Sequence, residues 1–221
     1  MKAAAYTRYG PPEVVRVVDV PTPAPRDREL LVRVHATTVN RTDCGFRSGR
    51  PLPIRPLSGM TSPRVRILGN EFAGRVVEVG RSVTRFAPGD RVFGYDDRRW
   101  GAHAEYLIIS ESASVALIPQ DLSYVQAAPG TEGAHYALAS ILRARIRAGQ
   151  WALVYGATGA IGSAAVQLMT QLGVHVTAVC DGAHLDLVRG LGAERVIDRT
   201  ARDFTRDEQP YDVVFDAVGK S

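Results

Sequence analysis

The chain has 221 residues, 45% of them hydrophobic and 23% charged, with a formal net charge of +4; this allows one large domain or two small ones around a real core. No apolar run approaches the ~20 residues of a membrane span, and the opening MKAAAYTRYGPPE lacks the apolar segment that a secretory signal needs. The basic residues are nearly all arginine, spread along the chain and mixed with acids apart from short groups such as RARIR at 143–147, so a nucleic-acid surface is not expected; the two cysteines, Cys44 and Cys180, are far apart, which speaks against a disulfide framework and for a reducing cytoplasm.

In chain order, residues 1–122 are rich in Val, Gly and Pro and read as a compact, mostly β domain. ELLVRVHATTVN (29–40) alternates as a strand does; GRVVEVG (74–80) and DRVFGY (90–95) are short β-like runs around the turn signal FAPGD; HAEYLII (103–109) is another. From 123 to 221 the pattern changes. SYVQAAPGTEGAHYALASILRARI (123–146) is Ala-rich and helical, interrupted near Pro129-Gly130. WALVYGA (151–157) is a buried strand, AIGSAAVQLMTQLG (160–173) a helix, VHVTAVC (174–180) a second strand and AHLDLVRGLGA (183–193) a helix ending at Gly192. RVID (195–198) and YDVVFDAVG (211–219) are a third and a fourth strand. Strands alternating with helices mean βαβ units, a parallel sheet and an α/β class.

The transition from the first of these strands to its helix holds Gly156, Gly159 and Gly162 at three-residue spacing. Glycine permits the tight turn and lets backbone approach a pyrophosphate, and the helix N-terminus offers N–H groups and the positive end of its dipole. The segment Gly156, Ala157, Thr158, Gly159, Ala160, Ile161 and Gly162 is therefore the expected phosphate cradle. Asp181, at the second strand's end, stands where a dinucleotide fingerprint needs an acid.

VNRTD (39–43), LGNEFAGRVVEVG (68–80), FAPGDRVFG (86–94), GAHAEYL (101–107), EGAHYAL (132–138), GATGAIG (156–162) and FDAVGKS (215–221) together resemble the zinc-independent quinone oxidoreductase-like branch of the medium-chain dehydrogenase/reductase superfamily. The resemblance covers essentially the whole chain. It implies an N-terminal GroES-like β domain, a Rossmann domain with a doubly wound parallel sheet, and an active site in the cleft between them. It also implies NADPH or NADH as cofactor, a small-molecule substrate, and a homodimer for the complete protein. In the zinc-containing branch a ligand cysteine stands three residues before the Asp of the VNRTD-like segment, and a ligand histidine in a Gly-His-Glu triplet. Here those places hold Asn40 and Asn70, carboxamides that are poor zinc ligands. No zinc is expected; Cys44, adjacent but displaced, reads as a buried or surface thiol, and for His103 and His135 a structural or solvated role is the better reading.

Without a Lewis acid, alcohol oxidation loses its alkoxide stabiliser, whereas a quinone or an α,β-unsaturated carbonyl accepts a hydride readily. The expected activity is hydride transfer from NAD(P)H to such a substrate. The alternatives are a non-catalytic nucleotide-binding protein on the same scaffold and a reductase domain of a larger assembly. The resemblance places Asn40 in the cleft, as donor to a substrate oxygen or anchor of the nicotinamide; read locally it is a turn former after a strand. Thr131, Glu132 and Tyr136 resemble the segment that passes the nicotinamide, Tyr136 also reading as a core aromatic. Tyr95 is a candidate pocket residue, Val218 in FDAVG a cofactor contact, and Asp43 a structural hydrogen-bonding residue.

The Asp181 carboxylate argues for NADH, since it accepts from ribose hydroxyls and repels a 2′-phosphate; turned outward it becomes a helix N-cap. The resemblance argues for NADPH, with His184 and Arg189 as basic neighbours, and the reading leans to NADPH. Only four strands of a six-stranded Rossmann sheet are read. The fourth, VVFDAV, is expected to be buried on both sides, and the chain is expected to be a fragment.

Overall fold

A computed structural model of the protein describes residues 1–219, the side chains of Ile54 and Leu57 excepted. Lys220 and Ser221, which end the FDAVGKS stretch, lie outside the described residues.

The chain divides into two compact units, Met1–Thr131 and the residues from Glu132 onward. In the first, β1 (Lys2–Ala5) and β2 (Arg16–Asp19) pair antiparallel. The sequence pattern does not announce this ribbon, because β2 has no buried residue to set a period. β3 (Glu29–Thr37) is followed by α1 (Arg41–Ser48), α2 (Arg55–Ser58), β4 (Glu71–Val79), β5 (Arg91–Tyr95), β6 (Tyr106–Ser110) and β7 (Ser114–Leu117). The five strands after the ribbon form one antiparallel sheet in the order β6-β3-β4-β5-β7. Alternate residues of these strands (Leu30, Val32, Phe72, Val76, Val92, Leu107, Ile109) form the unit's interior cluster. Each such side chain stabilises by roughly 1.5–3 kcal/mol on burial. A one-residue slip would turn the whole set outward, so the cluster also fixes register.

The first unit closes with α3 (Tyr124–Ala127) and a 3-10 turn at Ala128–Gly130. The sequence reading puts the domain boundary at 122/123, whereas the contacts put it at 131/132. Ala127 and Ala128 bury themselves against Ala73 and Ile118, with Phe93 and Ala36 alongside, so this stretch is held by the β unit although its composition is helical.

The second unit runs α4 (Glu132–Ala144), β8 (Trp151–Tyr155), α5 (Ala160–Gln171), β9 (His175–Cys180), α6 (Leu185–Gly190), β10 (Arg195–Asp198) and β11 (Val213–Asp216). Its sheet is wholly parallel, in the order β10-β9-β8-β11. The near-continuous apolar runs of β8 and β9 follow from that, because both faces are covered. Ala137 and Ile141 of α4 and Ala165, Val166 and Met169 of α5 pack with Val154 and Val176 on one side. Leu153, Val179 and Ile197 pack with Tyr155, Phe204 and Tyr211 on the other. Asp207 ties the segment before β11 to the sheet: its carboxylate accepts from Arg195, Arg202 and the Tyr211 hydroxyl.

β11 departs from expectation. It is shorter than the 211–219 run, and Val214 is 66% exposed rather than buried on both sides. Among the described residues it pairs with β8 alone, so one edge has no strand to cover it. No described helix is long and apolar enough to cross a membrane.

Candidate functional site

The candidate site residues fall into two groups, one in each unit. In the second unit the glycines of the β8–α5 turn have different jobs. Gly156 has φ +83°, a left-handed conformation that a side chain strains, and a Cβ there would stand 2.6 Å from Val218 Cγ2. Gly162 is buried in the first turn of α5; a Cβ there would come within 2.1 Å of the Gly156 carbonyl oxygen. Gly159, the N-cap of α5, needs neither allowance: φ is −75°, and a Cβ would meet nothing nearer than 3.6 Å. The fold itself demands two of the glycines; the third keeps the helix N-terminus open. Thr158, Gly159 and Ala160 are exposed there; the Gly159 N–H donates to the Gly156 carbonyl at 3.1 Å, and the first-turn N–H groups from Ala160 onward are ones that no helix bond can satisfy.

The remaining residues of the expected cradle are redistributed. Ala157 is fully buried and Ile161 packs against the same core, so they offer the site only backbone. Val218 leans over Gly156 as a wall of the turn. Glu132 is buried at the N-terminal end of α4, where a carboxylate is favoured by the helix dipole. Gly133 lets α4 approach α5, since a Cβ there would stand 2.5 Å from the Ala160 carbonyl oxygen. Tyr136 is 41% exposed and meets His135 edge-on at 5.6 Å, which corrects the reading of it as a core aromatic. Tyr136 directly precedes buried Ala137, and one step along a helix of 3.6 residues per turn rotates its side chain by about 100°, off the face of Gly133 and Ala137.

Asp181 is neither a solitary acid nor a side-chain cap. It precedes a 3-10 turn without making a capping bond, and its carboxylate pairs with Arg199 Nε at 2.5 Å. The parallel register explains the contact: Asp198 of β10 is opposite Cys180 of β9, so the next residue of each strand is brought together. Hydrogen bonding to Asp181 raises the Arg199 pKa above its ordinary value. His184 is exposed on the 3-10 turn, and Arg189 pairs with Asp186 at 2.8 Å, away from Asp181. Sequence reading missed Arg199; its position directly after the third strand was the available signal.

In the first unit Asn40 caps α1. Its Oδ1 accepts from Asp43 N at 2.9 Å while Asp43 Oδ2 accepts from Asn40 N at 2.9 Å, a reciprocal capping box. The other end of its amide, Nδ2, donates to Asn70 Oδ1 at 2.8 Å. The two carboxamides in the places of the zinc ligands thus bond to each other. Buried Asp43 also accepts from Gly69 N at 2.9 Å, as befits a structural role, and His103 Nε2 bonds the Thr38 carbonyl at 2.7 Å. The next residue, Glu71, is buried and accepts from the Thr38 hydroxyl at 2.6 Å and the Thr131 hydroxyl at 2.9 Å. Thr131, expected at a cofactor, is in part committed to this carboxylate. Tyr95 is buried at the end of β5, opposite Glu71. Cys44 is exposed, and no three His, Cys, Asp or Glu among the described residues are grouped to hold a metal ion.

The pattern for an alcohol dehydrogenase GroES-like domain matches residues 26–120. The quinone oxidoreductase structure from Coxiella burnetii superposes with a TM-score of 0.88 at 32% identity, covering 99% of this chain and 69% of that one. The chain belongs to the quinone oxidoreductase branch of the medium-chain dehydrogenase/reductase superfamily. It is 34% identical over 209 residues to the chloroplastic quinone-oxidoreductase homolog of Spinacia oleracea, covering 90% of this chain and 61% of that protein. It is 31% identical over 229 residues to the chloroplastic NADPH-dependent alkenal/one oxidoreductase of Arabidopsis thaliana, covering 99% and 58%. This quinone oxidoreductase-type chain therefore spans about three-fifths of the length of these curated relatives.

Proposed function

We propose that the chain belongs to an enzyme that transfers a hydride from a nicotinamide nucleotide to a quinone or an α,β-unsaturated carbonyl without zinc, with NADPH preferred. The carrying observation is the β8–α5 turn, where Gly159 is spared any demand of the fold and leaves space for a phosphate at the α5 N-terminus. On this reading the second unit binds the dinucleotide and the first carries the groups that meet the substrate. When bound, the reduced nicotinamide supplies the hydride.

The protein's own residues then have separable tasks. The backbone of Thr158–Gly162 cradles the diphosphate, and Val218 backs the turn. Asp181 is already engaged by Arg199, so the carboxylate that argued for NADH is neutralised, and a guanidinium stands beside the ribose position to meet a 2′-phosphate. In the first unit a carboxamide has two N–H donors; Asn40 spends one on Asn70, and the other has no partner among the described residues. That N–H is the donor offered to the oxyanion that develops on the substrate. The similarity to a quinone oxidoreductase and to an NADPH-dependent alkenal/one oxidoreductase supports the substrate class.

The experiment is a titration of the 221-residue chain with NADPH and NADH by cofactor fluorescence, alongside Arg199→Glu, with reduction of a simple quinone assayed in parallel. NADPH is expected to bind more tightly, and the variant to lose that preference while keeping NADH binding. Binding of neither cofactor would overturn the reading. Tight binding without quinone turnover would favour a nucleotide-binding protein that does no chemistry.

A further inference from the structure

Three arginines of the first unit stand in one row across the five-stranded sheet. Arg33 on β3 is directly opposite Arg75 on β4, and Arg75 is directly opposite Arg91 on β5. Each adjoins a residue of the interior cluster (Val32, Val76, Val92), so the row lies on the other face, with Arg33 and Arg75 exposed. Directly opposed residues in neighbouring strands have Cβ atoms about 4.5–5.5 Å apart, and like charges placed so are destabilising. No acid relieves this row: among the described residues none of the three arginines makes an ion pair.

The row is nonetheless ordered by the fold. Arg75 Nε donates to the Gly89 carbonyl at 3.0 Å. Arg91 donates to the Leu122 carbonyl, and its Cζ stands 5.0 Å from the Tyr124 ring centre. Tyr124 stacks on His35 with centroids 4.4 Å apart and planes 11° from parallel. Arg33, His35, Arg75, Val77, Pro88 and Tyr124 line a cavity of about 530 Å³. Two guanidinium forks, those of Arg33 and Arg75, therefore flank an open space beside a stacked aromatic pair, and carbonyls rather than carboxylates hold Arg75 and Arg91 in place.

We propose that this cavity is a binding site for a diphosphate group, with Arg33 and Arg75 as its bidentate partners and the His35–Tyr124 stack as the wall for whatever the diphosphate carries. Guanidinium forks match phosphate oxygens in pairs. A multivalent anion between adjacent forks turns their mutual repulsion into shared attraction, which a single monovalent ion does only once. The site is independent of the cofactor reading, since all its residues belong to the first unit and the glycine turn to the second.

The test is calorimetric titration of the 221-residue chain with inorganic pyrophosphate at fixed ionic strength, and in a second arm with ADP. It uses the wild type, Arg33→Gln, Arg75→Gln and the double variant. Saturable pyrophosphate binding is expected, weakened at least tenfold in the double variant. In the absence of ligand that variant should melt no lower than the wild type, since removing like charges relieves the row. Loss of ADP affinity in parallel would assign a nucleotide as the source of the diphosphate; loss of pyrophosphate affinity alone would assign the free anion. Backbone NMR shifts on wild-type protein should centre on residues 33, 35, 75, 89 and 124, which checks the site without any substitution. No saturable binding, binding untouched by the double variant, or shifts centred elsewhere would overturn the proposal.

Discussion

Adding one methyl group to the glycine turn should separate what the fold needs from what the ligand needs. In Gly162→Ala the new Cβ would lie 2.1 Å from the Gly156 carbonyl oxygen, 2.8 Å from its carbon and 3.0 Å from Ala157 Cα. All three are backbone atoms that cannot rotate away, so α5 must shift off β8. Overpacking of this kind costs about 1–3 kcal/mol, and a domain of 60–100 residues loses about 4–8 °C of Tm per kcal/mol. Gly159→Ala is different. Its φ −75° and ψ 164° suit alanine, and the nearest atom is 3.6 Å away. The poorer N-cap costs about 0.5–1 kcal/mol, and the loss of glycine's freedom in the unfolded chain returns about 0.4–1 kcal/mol, so stability should be nearly unchanged. The methyl group would, however, occupy the space where phosphate approaches. Losing one or two charge-assisted hydrogen bonds, about 1.5–3 kcal/mol each, weakens affinity by at least roughly tenfold. Thermal melts and NADPH titration of both variants decide the matter. Gly162→Ala should melt several degrees lower, and Gly159→Ala should melt like the wild type while binding NADPH far more weakly. Wild-type affinity in Gly159→Ala would refute the assignment of Gly159 to the ligand, and a wild-type melt of Gly162→Ala would refute the steric argument.

Asn40→Ala removes the α1 cap and the hydrogen bond that Asn40 Nδ2 donates to Asn70 Oδ1; urea unfolding should show a loss of about 1–2 kcal/mol, and if quinone turnover persists unchanged, Asn40 has no part in catalysis. The Tyr211 hydroxyl bond, against opposing burial, and then Arg195 hold the Asp207 pKa below its ordinary value. A carboxyl whose folded pKa is depressed contributes stability that is present above its unfolded pKa of about 4 and lost as pH falls through the folded value. Acid unfolding of the second unit should therefore begin only below that ordinary range, and Asp207→Asn should remove the part of the pH dependence due to this group; an identical acid limb in the variant would contradict it. Elemental analysis of the purified protein should find no stoichiometric zinc, and about one tightly held zinc per chain would overturn the reading of Asn40 and Asn70.

The sequence by itself determined what depends on local pattern. Apolar runs bounded by glycine located β8 and β9, and the small residues after Gly156 located α5. These are properties of neighbours along the chain, where period and residue type suffice. Tertiary structure alone decided the contacts between residues far apart in sequence. Arg199 meets Asp181 because two parallel strands end in the same register, and neither residue type nor spacing within one strand carries that information. Asn40 bonds Asn70 across thirty positions, and the arginine row exists only once β3, β4 and β5 are aligned. The β1–β2 ribbon was illegible for the opposite reason: β2 buries nothing, so no alternation marks it. The unit boundary fell at 131 rather than 122 because burial of Ala127 and Ala128 against the β unit outweighed their helical composition. Local pattern fixes which face a residue has available, and strand register decides what that face meets.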